Sequence, residues 1–108
     1  MAFDMIIADA NLRDHIDHHE EEFFMLIEQH DLDCPVLREV WESFYRGPRI
    51  YPGRTGAIVS ELDLVDGFIR KNRPPEINLS EWSQTYPRLR IFFAKAQELE
   101  MVVECVSD

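Results

Sequence analysis

The sequence has few of the residues that mark membrane, secreted or metal-bound proteins. Its 108 residues include only two cysteines and four glycines. Two cysteines are too few for a disulfide framework or a four-thiolate zinc site, so we expect a reducing compartment and a cytoplasmic protein. No apolar run approaches the roughly 20 residues that a membrane span needs. The first residues also lack the basic segment of a secretory signal.

Signatures of catalysis are missing as well. No serine lies in a Gly-x-Ser-x-Gly context, and residues 52–56 lack the Gly-Lys-Ser/Thr ending of a phosphate-binding loop. Cys34 has no paired base, so we expect a small buried residue rather than a nucleophile. The spacing of the many acids singles out no general acid and base pair. The sequence therefore predicts a protein that is not an enzyme, has no catalytic residues and uses no cofactor.

Basic residues are scarce relative to acidic ones. The chain has 21 acidic and 11 basic residues, which gives a formal net charge of −10. This sign argues against binding to nucleic acid or an anionic membrane and favours a basic protein partner. Residues 1–42 contain twelve acids and two bases, whereas residues 43–95 contain five acids and nine bases. The asymmetry has two interpretations, an acidic interaction face or internal pairing with the later arginines.

Apolar residues make up 45% of the chain, enough for a hydrophobic core, and we expect a single domain over residues 1–108. Residues 3–8 are short and apolar, and the β-branched residues 101–106 are typical of a strand. Because a lone strand needs a partner, these two segments are predicted to pair. Apolar spacing predicts helices over about 12–31, from Pro35 to Phe44, from Ile58 to about Lys71 and from Pro87 to Leu99.

Other signals predict where these elements begin and end. Asn11 is a suitable N-cap for the first helix, and Ser80 or Ser83 is expected to open a separate helical turn before Pro87. Residues 46–56, with two prolines, three glycines and three arginines, predict a basic loop. The predicted fold class is α+β, a helix-dominated domain with a small sheet formed by the N- and C-terminal segments. An all-α bundle is the alternative.

Potential metal ligands are concentrated between His15 and Glu22. His15, His19 and Glu22 share one side of the predicted helix, as a site for a divalent transition metal requires. However, His19 lies within about 20° of the apolar stripe through Leu12 and Phe23, at about 100° per residue. We therefore expect a buried His19 and no metal site.

One face of the same predicted helix is acidic. Asp14, Asp17, Glu21 and Glu28 project on the side opposite the apolar stripe. Phe24 projects about 120° from the centre of that stripe, so it is either covered by another helix or exposed among carboxylates. An aromatic anchor surrounded by charges is typical of a protein-binding hot spot. We therefore predict a partner-binding site formed by Asp14, Asp17, Glu21, Phe24 and Glu28.

In size and charge, the chain resembles small acidic bacterial immunity proteins, including those of contact-dependent growth inhibition systems. Barstar-like nuclease inhibitors and phage anti-CRISPR proteins have the same overall character. The resemblance covers the composition of the whole chain and no specific residues. It implies a stoichiometric inhibitor whose acids occupy the basic, nucleic-acid-binding cleft of a toxin. The alternative is a structural or regulatory interaction module, for example a homodimer paired through the C-terminal strand.

Overall fold

The computed structural model describes residues 3–17 and 20–107. The strands are β1 (Phe3–Ile7), β2 (Leu12–Ile16), β3 (Arg49–Ile50) and β4 (Val103–Ser107). The helices are α1 (Glu22–Gln29), α2 (Pro35–Ser43), α3 (Pro52–Asn72) and α4 (Leu79–Leu99). The predicted α+β class is confirmed, and the all-α alternative is wrong.

The sheet is antiparallel, with the strand order β2-β1-β4-β3. The predicted pairing of the terminal segments is confirmed, because β1 and β4 are neighbours and Met5 lies opposite Cys105. Burial alternates along β1, so that Phe3, Met5 and Ile7 form its inner face. β4 lies between β1 and β3, and β3 pairs with its first two residues, Val103 and Glu104.

The predicted helix over residues 12–31 is wrong in its first half, because Leu12–Ile16 is strand β2. Asn11 is not an N-cap; it has a φ of 52° in the turn that joins β1 to β2, a left-handed conformation that asparagine tolerates. Leu12 and Ile16 share a face in a strand as well as in a helix, since a spacing of four suits both periods. Their spacing therefore could not distinguish the two structures.

Helices α2 and α3 both begin at a proline, whose missing amide is not needed in a first turn. The predicted start of α2 at Pro35 is confirmed. α3 begins at Pro52, earlier than predicted, so the second half of the predicted basic loop is helical. The predicted end of this helix at about Lys71 is confirmed, because α3 ends at Asn72.

Helix α4 is continuous from Leu79 to Leu99, and the prediction of a separate helix from Pro87 is wrong. Its N-cap is Asn78, whose side chain accepts a hydrogen bond from the Glu81 amide at 3.1 Å. Proline has no amide hydrogen, so one backbone carbonyl in the preceding turn lacks its usual partner. Pro87 is exposed, so this carbonyl lies on the solvent side and the helix continues past Pro87.

The inner face of the sheet and the apolar sides of the helices form one hydrophobic cluster. Phe3 of β1 packs against Phe44 and against Trp41 of α2. α3 and α4 pack along each other. None of the helices in the described part of the chain combines the length and hydropathy needed to cross a membrane.

Candidate functional site

The five residues of the predicted partner site do not lie on one helix. Asp14 belongs to β2 and Asp17 follows that strand, whereas Phe24 and Glu28 belong to α1 and Glu21 is the residue before it. The predicted acidic helix face is therefore wrong as a single surface. Its residues are divided between an ion-pair cluster and the surface of α1.

Phe24 is a core residue with only 3% of its surface exposed. Its ring stacks on Phe23 and on Trp41, with centroid distances of 4.1 and 4.7 Å. The prediction of Phe24 as an exposed anchor is wrong, because helix α2, which carries Trp41, covers it.

The exposed side of α1 has Met25 at its centre, with 46% of the residue exposed. At about 100° per residue, Glu21, Glu22 and Glu28 all project within about 60° of Met25. No basic residue lies on this helix. We call Glu21, Glu22, Met25 and Glu28 the α1 face, an apolar side chain surrounded by carboxylates.

The sequence contains a signal that Met25 is exposed. Phe23, Phe24, Leu26 and Ile27 are all buried, and their spacing is that of one buried helix face. This spacing puts Met25 on the opposite side. The predicted helix began at residue 12. This early start shifted the centre of the predicted apolar stripe and placed Phe24 outside that stripe.

Asp14 belongs to an ion-pair cluster centred on Arg88 of α4. Arg88 donates to Asp14 Oδ1 at 2.7 Å and to Glu20 Oε2 at 2.5 Å, and both carboxylate side chains are less than a tenth exposed. The Thr85 hydroxyl donates to the same Glu20 oxygen at 2.7 Å, and the Asp17 amide donates to the other at 2.9 Å. The cluster thus joins β2 and the segment before α1 to α4.

The pKa values of the two buried carboxylates of this cluster shift in opposite directions. Burial raises the pKa of Asp14, although the Arg88 guanidinium opposes the change. Burial also acts to raise the pKa of Glu20, but hydrogen bonds from the Asp17 amide and Thr85 hydroxyl, together with Arg88, hold that pKa below its ordinary value. The fold therefore stabilises the ionised form of Glu20.

His15, Asp17 and Glu20 bring possible metal-ligand atoms within 4.8 Å of one another. Arg88 already supplies the cation at this position, since its Nη1 lies 3.3 Å from His15 Nε2 and its other nitrogen pairs with Glu20. A metal ion would have to displace the guanidinium from both groups. The arrangement therefore favours an arginine-centred ion cluster over a metal site.

Of the predicted histidine and glutamate trio, Glu22 is exposed on α1 and His15 is exposed at β2. His19 lies outside the described residues, so its predicted burial stays a prediction.

Glu61 of α3 completes the start of α2. Its carboxylate accepts the amides of Val36 at 3.2 Å and Leu37 at 2.8 Å, whereas the N-cap residue Cys34 makes no side-chain cap hydrogen bond. The predicted burial of Cys34 is confirmed. Burial, together with the negative charge of Glu61, raises the pKa of the Cys34 thiol to about 12, so this thiol stays protonated near neutral pH.

Comparisons with known proteins add no relative to this description. No family model, no curated protein and no solved structure matches the chain.

Internal pairing engages many of the basic side chains. Arg54 pairs with Glu39 of α2, and Arg49 pairs with Glu104 of β4. Further ion pairs of the described residues involve Arg38, Arg70, Arg88, Arg90 and Lys95. By contrast, none of the described residues is ion-paired with Glu22 or Glu28. The acidic excess is thus partly neutralised inside the chain, whereas Glu22 and Glu28 of the α1 face keep their negative charge.

Proposed function

We propose that this protein is a stoichiometric inhibitor, a cytoplasmic bacterial immunity protein that neutralises a basic, nuclease-type toxin of the contact-dependent growth inhibition kind. The observation that supports this proposal is the α1 face, in which the exposed Met25 is surrounded by Glu21, Glu22 and Glu28. An apolar anchor provides contact area, and surrounding charges of one sign select a partner of the opposite sign.

The carboxylates and Met25 have different tasks in this mechanism. Negative charge on the α1 face attracts the basic cleft of the toxin and speeds the encounter. Met25 is then buried against the toxin, which stabilises the complex by about 1.5–3 kcal/mol and slows its dissociation. The bound inhibitor blocks the cleft by its bulk, and its carboxylates take the place of nucleic-acid phosphates.

Salt dependence distinguishes this mechanism from purely apolar binding. Screening shortens the reach of the charges from roughly 30 Å at 0.01 M salt to about 8 Å at 0.15 M. The association rate is therefore expected to fall markedly over this range, while dissociation changes little. An association rate that is indifferent to salt, or an acidic partner, would contradict the proposal.

The experiment begins with immobilised protein and an extract of the native host, from which the captured partner is identified by mass spectrometry. With the purified partner, Met25→Ala is expected to speed dissociation, and Glu22→Lys is expected to slow association. Glu98→Lys is the matched control, because it makes the same charge change near the far end of α4. It should affect association less than Glu22→Lys does.

The inhibitory role is tested separately from binding. Titration of the partner's nuclease activity is expected to reach complete inhibition at one equivalent of the protein. Tight, salt-dependent binding without loss of activity would instead favour the alternative of a structural or regulatory module.

A further inference from the structure

A shallow apolar groove lies between the edge strand β2 and helix α4. Its apolar lining consists of the exposed Leu12 and Ile91 and the largely buried Phe92, and Ile91 is 68% exposed. Single exposed apolar residues are common on proteins, whereas a contiguous group on a concave surface marks a binding site. Small molecules usually bind in pockets that enclose most of their surface, so this open groove suits a segment of a protein chain.

The charge of this groove is opposite in sign to that of the whole molecule. Arg13 on β2 and Lys95 on α4 line its two walls. Arg88 and Asp14 also line it, but they neutralise each other through their 2.7 Å ion pair. Lys95 makes only an exposed 3.6 Å contact with Glu98, and none of the described residues is ion-paired with Arg13. The groove thus presents positive charge on a chain with a net charge of −10.

A second copy of this chain is a poor occupant of the groove. Antiparallel pairing of β2 with its own copy, centred on Asp14, would place two aspartates opposite each other, and like charges across strands are destabilising. In addition, the Asp14 carboxylate accepts the His15 amide at 2.7 Å and so occupies one donor of the edge. The occupant therefore binds through side chains rather than by adding a strand.

We propose that the groove between β2 and α4 binds an acidic protein segment that presents an apolar side chain between carboxylates. The apolar side chain packs on Leu12, Ile91 and Phe92, and the carboxylates face Arg13 and Lys95. This surface is separate from the α1 face and selects for the opposite charge, so one chain can hold two chemically different partners.

Fluorescence anisotropy with two labelled peptides tests the proposal. One peptide alternates leucine and glutamate, and the other has lysine in place of each glutamate. Ile91→Ser and the double variant Arg13→Glu/Lys95→Glu are expected to weaken binding of the glutamate peptide at least about tenfold, as loss of an anchor does. Neither change should weaken binding of the lysine peptide, which the net negative charge attracts elsewhere.

Leu64→Ser is the matched control, because Leu64 is an exposed apolar residue of α3 outside the groove. Urea denaturation of Ile91→Ser checks that this substitution of an exposed residue leaves the fold intact. The proposal is overturned if the glutamate peptide does not bind, or if Ile91→Ser and Leu64→Ser affect it equally. It is also overturned if sedimentation shows a dimer that Ile91→Ser dissociates, since the occupant would then be a second copy.

Discussion

Glu61 connects two helices through one buried carboxylate. The side chain belongs to α3, yet it accepts the amides of Val36 and Leu37 at the start of α2. Glu61→Ala leaves these donors without their partner, so we expect it to lower the free energy of unfolding by about 1–3 kcal/mol. Urea denaturation measures this loss. The exposed neighbour Ser60 provides the control, since Ser60→Ala should change stability by less than about 0.5 kcal/mol.

Phe24 and Met25 are adjacent but have opposite environments. Phe24 is buried between two aromatic rings, so Phe24→Ala is expected to cost about 3–5 kcal/mol of stability. Met25 is exposed, and Met25→Ala should cost no more than about 0.5 kcal/mol. Thermal melts of the two variants test this difference. A Phe24→Ala variant that melts like the wild type would contradict the assignment of Phe24 to the core.

Glu20 gives the fold a stability that depends on pH. Its pKa is lowered in the folded protein, so its contribution is present above the ordinary value of 4.5 and is lost as the pH falls through the lowered pKa. The difference in unfolding free energy between the wild type and Glu20→Gln is therefore expected to shrink as the solution is acidified. Denaturation curves recorded at a series of pH values measure it.

Asp14 provides the internal contrast, because burial raises its pKa. A carboxyl group with a raised pKa favours the fold while it is protonated, and this contribution is lost as the pH rises through the folded pKa. The stability difference between the wild type and Asp14→Asn should thus change with pH in the opposite sense. The same direction for both variants would contradict the assigned environments.

Pairing of the two ends was predictable, whereas some elements between them were not. The β-branched residues at 101–106 indicate a strand, and a strand needs a partner. Residues 12–16 form a strand because they pair with β1. Pairing of this kind cannot be read from the hydrophobic periodicity of a segment of only five residues. Pro87 suggested a helix boundary, but an exposed proline can be accommodated within a helix that packing holds on its other side.

The candidate site was also predictable only in part, because some of its contacts join residues that are far apart in the sequence. The negative charge of Glu21 and Glu28 is visible in the sequence, because both carboxylates belong to one local segment. Arg88 was missed as the partner of Asp14, because the two residues are 74 positions apart and only the fold brings them together. Met25 was missed because the predicted helix began ten residues before α1 does.

Glycines within α3 test how the long helices pack. A Cβ added at Gly67 meets no atom within 4 Å, so Gly67→Ala is expected to raise the free energy of unfolding by about 0.5–1 kcal/mol. A Cβ added at Gly56 would lie 2.5 Å from Gln97 Nε2 of α4, so the Gln97 side chain must move. Gly56→Ala should therefore gain less stability or lose some. Equal gains in urea denaturation would contradict this close contact.

At the scale of the whole molecule, we expect partner binding to depend more on where the charges lie than on the net charge. Arg54 and Arg88 neutralise acids of the first 42 residues, whereas Glu22 and Glu28 are not ion-paired with any described residue. Like charges close together oppose folding unless another interaction uses them. We therefore expect the protein to gain stability when the negative charge of the α1 face is reduced. The same change is expected to weaken partner binding.

Glu28→Lys tests this expectation directly. Glu28 lies in the last turn of α1, which has no basic residue to complement the negative end of the helix dipole. A lysine there is expected to raise the free energy of unfolding by about 0.3–1 kcal/mol. In the proposed inhibitor, the same substitution should slow association with the basic partner, because it reverses one of the three carboxylates around Met25. Urea denaturation and stopped-flow binding measure the two effects.

Glu98→Lys separates a specific face from net charge. Glu98 also lies in a last helical turn that has no basic residue, so the substitution makes the same change to the dipole interaction and to the net charge, although it also removes the exposed contact with Lys95. It lies about 24 Å along α4 from Trp82, the residue of that helix whose ring contacts Phe23 of α1. Slower association for Glu28→Lys alone would support the α1 face as the binding surface. Equal slowing would mean that only the total charge attracts the partner, and the α1 face would lose its assigned role.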